Sequence, residues 1–399
     1  MHDDFDGHRA FGHIERLASM RRLPGSPGEA EAQEYIRGAG EEMGVEMRGE
    51  EFTYSSSPLT IVLPVTCLLL ASLSLLGSLD YLMGTYLAII PGLVLLLVIY
   101  LGFKWSAAFE RFGVKGGSSK SMNLVGQIAG RDPRGTVILS AHYDSKSQLM
   151  PVALRASLYI AGFFSATLLG LTLIVVGVMK AAGVDVMGNL AGFYVSLLPA
   201  VCLCLLVFNF TGNRSPGALD DASGIAVILE VGRVIAADPL ENFDVVVASF
   251  GCEEVGLIGS IQYMLAHQED LKARPCYMLN FDMPFSRTGS LCVNTGFEVP
   301  FKPTSARLNE LARDAARDMG LEMKGLYMPV GAAADHMPWV KHGFEATGFT
   351  CAVGYIHSSR DSLDRIDTEG LRRTGEVALA VLSRLDSEYS APRQASSPD

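Results

Sequence analysis

Apolar residues along this chain fall into two regimes, long unbroken runs and shorter segments in which polar and apolar positions alternate. Four runs, at residues 59–79, 82–103, 156–179 and 190–210, are almost free of charge. Each is about 20 residues long, the length that crosses a hydrocarbon core of roughly 30 Å. They pair as two hairpins, the first with its corner at 79–81 around Asp80, the second with its corner at KAAGVDVMGN. Pro64, Pro91 and Pro199 lie inside the runs, where spanning helices tolerate proline. Four transmembrane helices in two hairpins are therefore expected.

Outside the hairpins the pattern alternates between helix and strand. Helices are expected at 30–43, 223–237 and 306–319, and strands at 46–54, 122–128, 136–140, 243–250 and 277–281. Strands alternating with helices predict a three-layer α/β/α sandwich around a mixed, largely parallel sheet. Chemistry in such sheets sits at the carboxyl ends of the strands. The expected organisation is one discontinuous globular domain (1–57, 104–155 and 211–388), with hairpins at 58–103 and 156–210 and a disordered tail at 389–399.

Composition narrows the classes. The net charge of −11 excludes a nucleic-acid partner, since phosphate binding needs a basic face. Seven cysteines without a CxxC pair argue against a cysteine metal site. The start, MHDDFDGHRAFGH, is acidic and polar, unlike a signal peptide. Lys104, Arg111, Lys115, Lys120, Arg155 and Arg214 flank the runs, while the hairpin tips carry Asp80 and Lys180 with Asp185. By the positive-inside rule, a multi-pass protein with its globular part in the cytoplasm is expected.

Metal-capable side chains recur where strands end. TVILSAHYDS closes on His142 and Asp144, FDVVVASF is followed by Glu253 and Glu254, YMLNF leads to Asp282, and VGYIHSS carries His357. SPGALDDASG adds Asp220 and Asp221 at a turn opening a helix. Singly, each has a structural explanation: a hydrogen-bonding histidine, a helix cap, a surface acid pair. Together they form the ligand set that two divalent cations need, and a free glutamate beside them can move a proton. Neighbouring side chains at a strand tip point opposite ways, so one of the Glu253–Glu254 pair can coordinate while the other acts as base.

His-Tyr-Asp-Ser, Pro-Gly-Ala-Leu-Asp-Asp-Ala-Ser-Gly, Glu-Glu-Val-Gly-Leu-Ile-Gly-Ser, Asn-Phe-Asp-Met and His-Ser-Ser-Arg-Asp-Ser resemble the successive motifs of metallopeptidase family 28. Di-zinc aminopeptidases belong to that family, with glutamate carboxypeptidases and glutaminyl cyclases as relatives. The early PGSPGEAEAQEYI resembles its first turn and helix. The resemblance implies a zinc-exopeptidase fold and two zinc ions, with cobalt or manganese tolerated by the same ligands. It implies that Asp220 bridges the metals, that His142 and Asp282 complete one and Glu254 and His357 the other, and that Glu253 is the general base. Asp144 is implied to orient His142 by accepting its second ring proton. Asp335 and His336 are implied to stand near the substrate. Asp221 replaces a frequent asparagine and Ala334 a frequent serine, and neither change removes a ligand. The implied partners are a peptide substrate and a lipid bilayer, with a homo-oligomer left open. Alternatives are a carboxypeptidase or glutaminyl cyclase on the same scaffold, and a non-catalytic membrane receptor.

Overall fold

A computed structural model describes residues 5–104, 114, 117–186, 188–329, 331–351 and 353–390. Arg111, Lys115 and the tail residues 391–399 lie outside the described residues. The chain divides into two compact units, Met1–Tyr54 with Ser118–Ser147 and Gly212–Asp399, and Ser55–Gly117 with Gln148–Thr211.

The first unit is built on a sheet of nine strands, counted over the described residues. In chain order these are β1 (Arg48–Tyr54), β2 (Ser119–Ile128), β3 (Gly135–His142), β4 (Phe243–Phe250), β5 (Cys276–Phe281), β6 (Leu291–Phe297), β7 (Lys302–Pro303), β8 (Lys324–Met328) and β9 (Glu345–Cys351). Their order across the sheet is β1-β2-β4-β3-β5-β9-β6-β8, with β7 on β6. The four central strands β4, β3, β5 and β9 run parallel. Antiparallel pairs flank them, β1 with β2, β2 with β4 and β9 with β6. The sheet is mixed, and its continuous parallel stretch is confined to the centre. Those four strands bring their carboxyl ends to one edge of the sheet.

Strands β3, β4 and β5 are buried along their whole length, which explains their unbroken apolar sequences: a central strand covered on both faces has no solvent side to alternate with. One face packs Ile138, Val246, Ala248, Phe250 and Met278 with Tyr263, Met264 and Trp339. Trp339 donates its indole N–H to Ser260 Oγ at 2.9 Å. The helix Gly224–Ala237 lies against β3, β4 and β5, and Val247, on the alternate set of positions, approaches its Gly232. The final helix, Thr368–Ser390, includes Tyr389 and Ser390, which the sequence pattern had assigned to the tail. Tyr389 stays in the helix because its ring packs edge-on to Phe243 and its hydroxyl meets Tyr277 at 2.7 Å.

The second unit is helical. Its helices include Leu63–Met83, Ile89–Lys104, Val152–Ala181, Leu190–Ser196 and Leu198–Leu206, and of these all but Leu190–Ser196 share an apolar core of Cys67, Leu70, Leu95, Leu169, Leu173 and Leu203. Gly92 and Gly170 let two helices touch through their backbones: a Cβ on Gly92 would stand 2.8 Å from the Gly170 carbonyl. Among the described residues two helices, Pro58–Met83 and Val152–Ala181, are long and apolar enough to cross a membrane, where four were expected. The other two, Tyr86–Gly102 and Leu190–Leu206, are shorter. The first hairpin turns at Gly84, not at Asp80. Gly84 adopts the left-handed conformation (φ 62°) that closes a helix, and a 3₁₀ turn at Tyr86–Ala88 consumes the next residues. The 190–210 run is broken at Leu197, just ahead of Pro199, which lacks the N–H that would continue the ladder.

Candidate metal centre

The parallel strands deliver their terminal side chains to one place. His142 is the last residue of β3, Glu253 and Glu254 follow β4 and Asp282 follows β5. His357 stands in the loop six residues beyond β9. Asp220 comes from the turn Ala218–Ser223, where Asp220 and Asp221 leave helical geometry before the helix Gly224–Ala237 begins. Three non-glycine residues at or next to these ends, Cys252, Met283 and His357, have positive φ of 60°, 55° and 57°. Such conformations cost about 1 kcal/mol or more each and persist where surroundings impose them. Here they turn the chain sharply as it leaves the sheet.

Two groups of ligand atoms result, each mutually within 4.8 Å: His142, Asp220 and Asp282, and Asp220, Glu254 and His357. Asp220 belongs to both. Its Oδ1 is 3.2 Å from His142 Nε2 and its Oδ2 is 3.0 Å from His357 Nε2. Glu254 Oε2 lies 3.2 Å from His357 Nε2, and Asp282 Oδ1 4.0 Å from His142 Nε2. Glu253 stands beside the first group, with Oε2 3.9 Å from the same His142 nitrogen.

All of these groups are buried or nearly so. Burial pushes Asp282 up to about 7, with Asp220 and Glu254 adding to the shift against the pull of His142. Burial also raises Glu253 well above the usual carboxylate range, and the charge on Glu254 adds to it. Asp220 and Glu254 go the other way. Burial opposes their ionisation, but hydrogen bonds to His142 and His357 hold Asp220 low, and His357 with Lys146 brings Glu254 to about 2. Lys146 Nζ reaches Glu254 Oε2 at 2.8 Å and its backbone carbonyl at 3.0 Å. The histidines are the mirror image: both are raised despite burial, because carboxylates surround them. Carboxylate and imidazole donors converging in two groups around a shared aspartate fit a pair of divalent cations. Such ions would supply the positive charge for which the buried acids otherwise rely on histidine protons.

Asp144 meets His142 in two ways. The ring Nδ1 of His142 bonds the backbone carbonyl of Asp144 at 3.1 Å, and Asp144 Oδ1 stands 3.6 Å from the same nitrogen. The carboxylate also accepts the backbone N–H groups of Glu253 and Glu254 at 3.1 Å each. Asp221, which the sequence places beside Asp220 at the turn opening a helix, accepts three backbone N–H groups, from His142, Gly224 and Met283. It thus ties the ends of β3 and β5 to the start of a helix.

Asp335 is buried, with both carboxylate oxygens unpartnered among the described residues. Burial, with the nearby Asp282 and Asp144, raises it to about 8, and its charge acts on Glu253. His336, adjacent in sequence, is in neither group of converging ligand atoms. Its ring sits edge-on to Phe297 and against Gly348, neither ring nitrogen has a partner among the described residues, and burial lowers it to about 3.

The sequence matches Peptidase family M28 over residues 123–382. The chain belongs to peptidase family M28. Aminopeptidase YwaD of Bacillus subtilis (strain 168) is 28% identical over 189 residues, 45% of this chain and 40% of that protein. Endoplasmic reticulum metallopeptidase 1 of Mus musculus is 29% identical over 179 residues, 43% of this chain and 19% of that protein. The chain therefore spans less than half the length of these curated relatives. Among solved structures, BSAP, a zinc aminopeptidase from Bacillus subtilis, has a TM-score of 0.57 at 16% identity, covering 96% of this chain and 95% of that one. An Acidobacteriales bacterium glutaminyl cyclase has a TM-score of 0.56 at 15% identity, covering 97% and 96%. At such identities the shared property is the fold.

Proposed function

We propose that this M28 protein is a membrane-anchored di-zinc exopeptidase that removes the N-terminal residue of short peptides. The observation that carries the reading is the single Asp220 carboxylate, with one oxygen toward His142 and the other toward His357. His142 and Asp282 would hold one zinc and Glu254 and His357 the other, with Asp220 shared. Ions bound there would polarise the scissile carbonyl and make water a nucleophile at neutral pH.

Glu253 performs the proton transfers. Its raised pKa suits a group that takes a proton from the attacking water and passes it to the departing amine. Neighbouring Asp335, also raised, is placed to hold a proton toward the substrate. The burial of these groups strengthens each of these interactions. The printed names of YwaD and BSAP support aminopeptidase activity. The resemblance in fold to a glutaminyl cyclase makes cyclisation of N-terminal glutamine the second reading.

The second unit supports membrane anchoring, because Leu68, Leu69, Leu75, Leu76 and Leu79 on one long helix and Phe164, Leu168, Leu171 and Val175 on the other are exposed. A lipid bilayer is the partner such surfaces fit, and the lysine and arginine bias favours a cytoplasmic globular unit. The deciding experiment measures metal content and hydrolysis of free-amine, N-blocked and C-blocked peptides and of N-terminal glutaminyl peptides in detergent-purified protein. Two metals per chain with cleavage of free-amine peptides alone supports the aminopeptidase. Metal with cyclisation and no hydrolysis moves the assignment to the cyclase.

A further inference from the structure

The turn that presents Asp220 has no regular secondary structure to hold it, so its backbone groups must find partners elsewhere. Two buried side chains of opposite charge supply them. Arg22, in the segment that follows the first helix Gly7–Ala18, donates through Nη1 to the carbonyl of Pro216 and through Nη2 to that of Gly217, both at 2.8 Å. Asp361 accepts from the other side of the same turn, with Oδ1 taking the N–H of Leu219 at 2.7 Å and Oδ2 that of Asp220 at 3.2 Å. Both residues are fully buried, and each sits in the other's field as an opposite charge.

Each residue also fastens a second segment of the cluster. Arg22 Nε donates to the carbonyl of Tyr143 at 2.7 Å, and its own carbonyl accepts the N–H of Ser145 at 3.1 Å. It thereby brackets the exit of β3 immediately after His142. Its Nη1 reaches back to Leu17 O at 2.5 Å. Asp361 donates its backbone N–H to Ser358 at 3.1 Å, next to His357. Gly217, at φ +60°, leaves room for the guanidinium, since a Cβ there would stand 2.7 Å from Nη2. A planar fork with five donors can serve carbonyls from three segments at once, which an ammonium cannot.

We infer that Arg22 and Asp361 are a pair of positioning residues that lock the Asp220 turn to the His142 strand end and to the His357 loop, and so set the spacing of the two metal positions. This rests on the reading of Asp220 as the shared ligand. Neither residue belongs to the two groups of converging ligand atoms. They act through the backbone that carries the ligands, where supporting partners typically change metal affinity about 10–100-fold.

The test uses full-length detergent-purified protein stripped of metal and titrated with cobalt(II), reading affinity by competition with a chelating dye and ligand geometry from the visible absorption bands. Arg22→Lys keeps the charge without the fork, and Asp361→Asn keeps the shape while turning one acceptor into a donor. Asp220→Ala is the reference. The expected result is at least tenfold weaker cobalt binding and altered bands in both clamp variants, with Asp220→Ala losing cobalt from both positions. Wild-type affinity and bands in the clamp variants, with or without a lower melting temperature, while Asp220→Ala loses cobalt, would overturn the clamp and leave the ligand reading standing. Wild-type cobalt binding by Asp220→Ala would remove the ligand reading itself and the clamp with it.

Discussion

Asp144 holds Glu253 by its backbone and not by its side chain: Asp144 Oδ1 accepts the Glu253 N–H at 3.1 Å while Oδ2 takes that of Glu254. One carboxylate therefore fixes the tip from which Glu254, one of the converging acids, and the proposed base Glu253 both project. Asp144→Asn places an amide N–H against one of these backbone donors. The expected cost is about 1–3 kcal/mol of stability from the buried group left unpaired. Activity should fall about a hundredfold, because a small displacement of reacting groups is enough for a loss of that size. Thermal unfolding and kcat measured on the same preparation check it, and unchanged kcat would show that the tip holds its shape without Asp144.

Glu253→Gln separates proton transfer from metal binding. Glutamine fills the same space and keeps a hydrogen-bonding oxygen, but it takes up no proton at neutral pH. Since Glu253 belongs to neither group of converging ligand atoms, the variant should retain its metal. Turnover should drop by about 10²–10⁴. Metal analysis beside steady-state kinetics decides it, and a variant that loses metal would make Glu253 a ligand instead.

Three of the four central strands, β3, β4 and β5, were legible because their physics is local, while β9 was not among the expected strands. Strand β4 occupies the residues its sequence FDVVVASF marks out, since a strand buried on both faces is written as a continuous apolar run. The edges were not. Lys324–Met328 is largely exposed or half-exposed, and Leu291–Phe297 carries Asn294 and Gly296, so neither shows a strand pattern. The residues that converge in the two groups were legible as types at strand ends and the adjoining turns. Their supports were not, because a backbone carbonyl at Asp144, three amides on Asp221 and a fork from Arg22 are relations between distant segments. Asp361 lay within the motif HSSRDS with nothing in its spacing to say that it reaches Leu219. In the hairpins, hydropathy located the apolar runs, but Gly84 and the break at Leu197 set the helix lengths.

His336 makes the fold sensitive to acid. Burial lowers its pKa to about 3, against about 6.5 in an unfolded chain. Between those values the unfolded state binds the proton and the native state does not, so this group removes stability as pH falls from about 6.5 toward 3. His336→Leu, similar in volume and without a titrating nitrogen, should lose less stability than wild type over that window. The difference approaches about 1.4 kcal/mol per pH unit while one proton separates the two states. Thermal unfolding in detergent at pH 7, 6 and 5 tests this, and parallel pH profiles for variant and wild type would count against a neutral, unpartnered His336.

Metal removal should cost stability as well as activity. Asp220, Asp282, Glu253, Glu254 and Asp335 are buried together, and like charges at such range oppose one another in a medium less polar than water. Divalent ions that bind only the folded cluster stabilise it by mass action, about 2.7 kcal/mol at a free concentration one hundred times the dissociation constant. Chelation should therefore lower the melting temperature, and zinc should restore it in a concentration-dependent way. In Asp220→Ala, where the two groups no longer share a ligand, added zinc should raise it much less. A melting temperature indifferent to both chelator and zinc would mean that protons on the buried acids and histidines suffice to hold the cluster together, and the two-metal reading would fail.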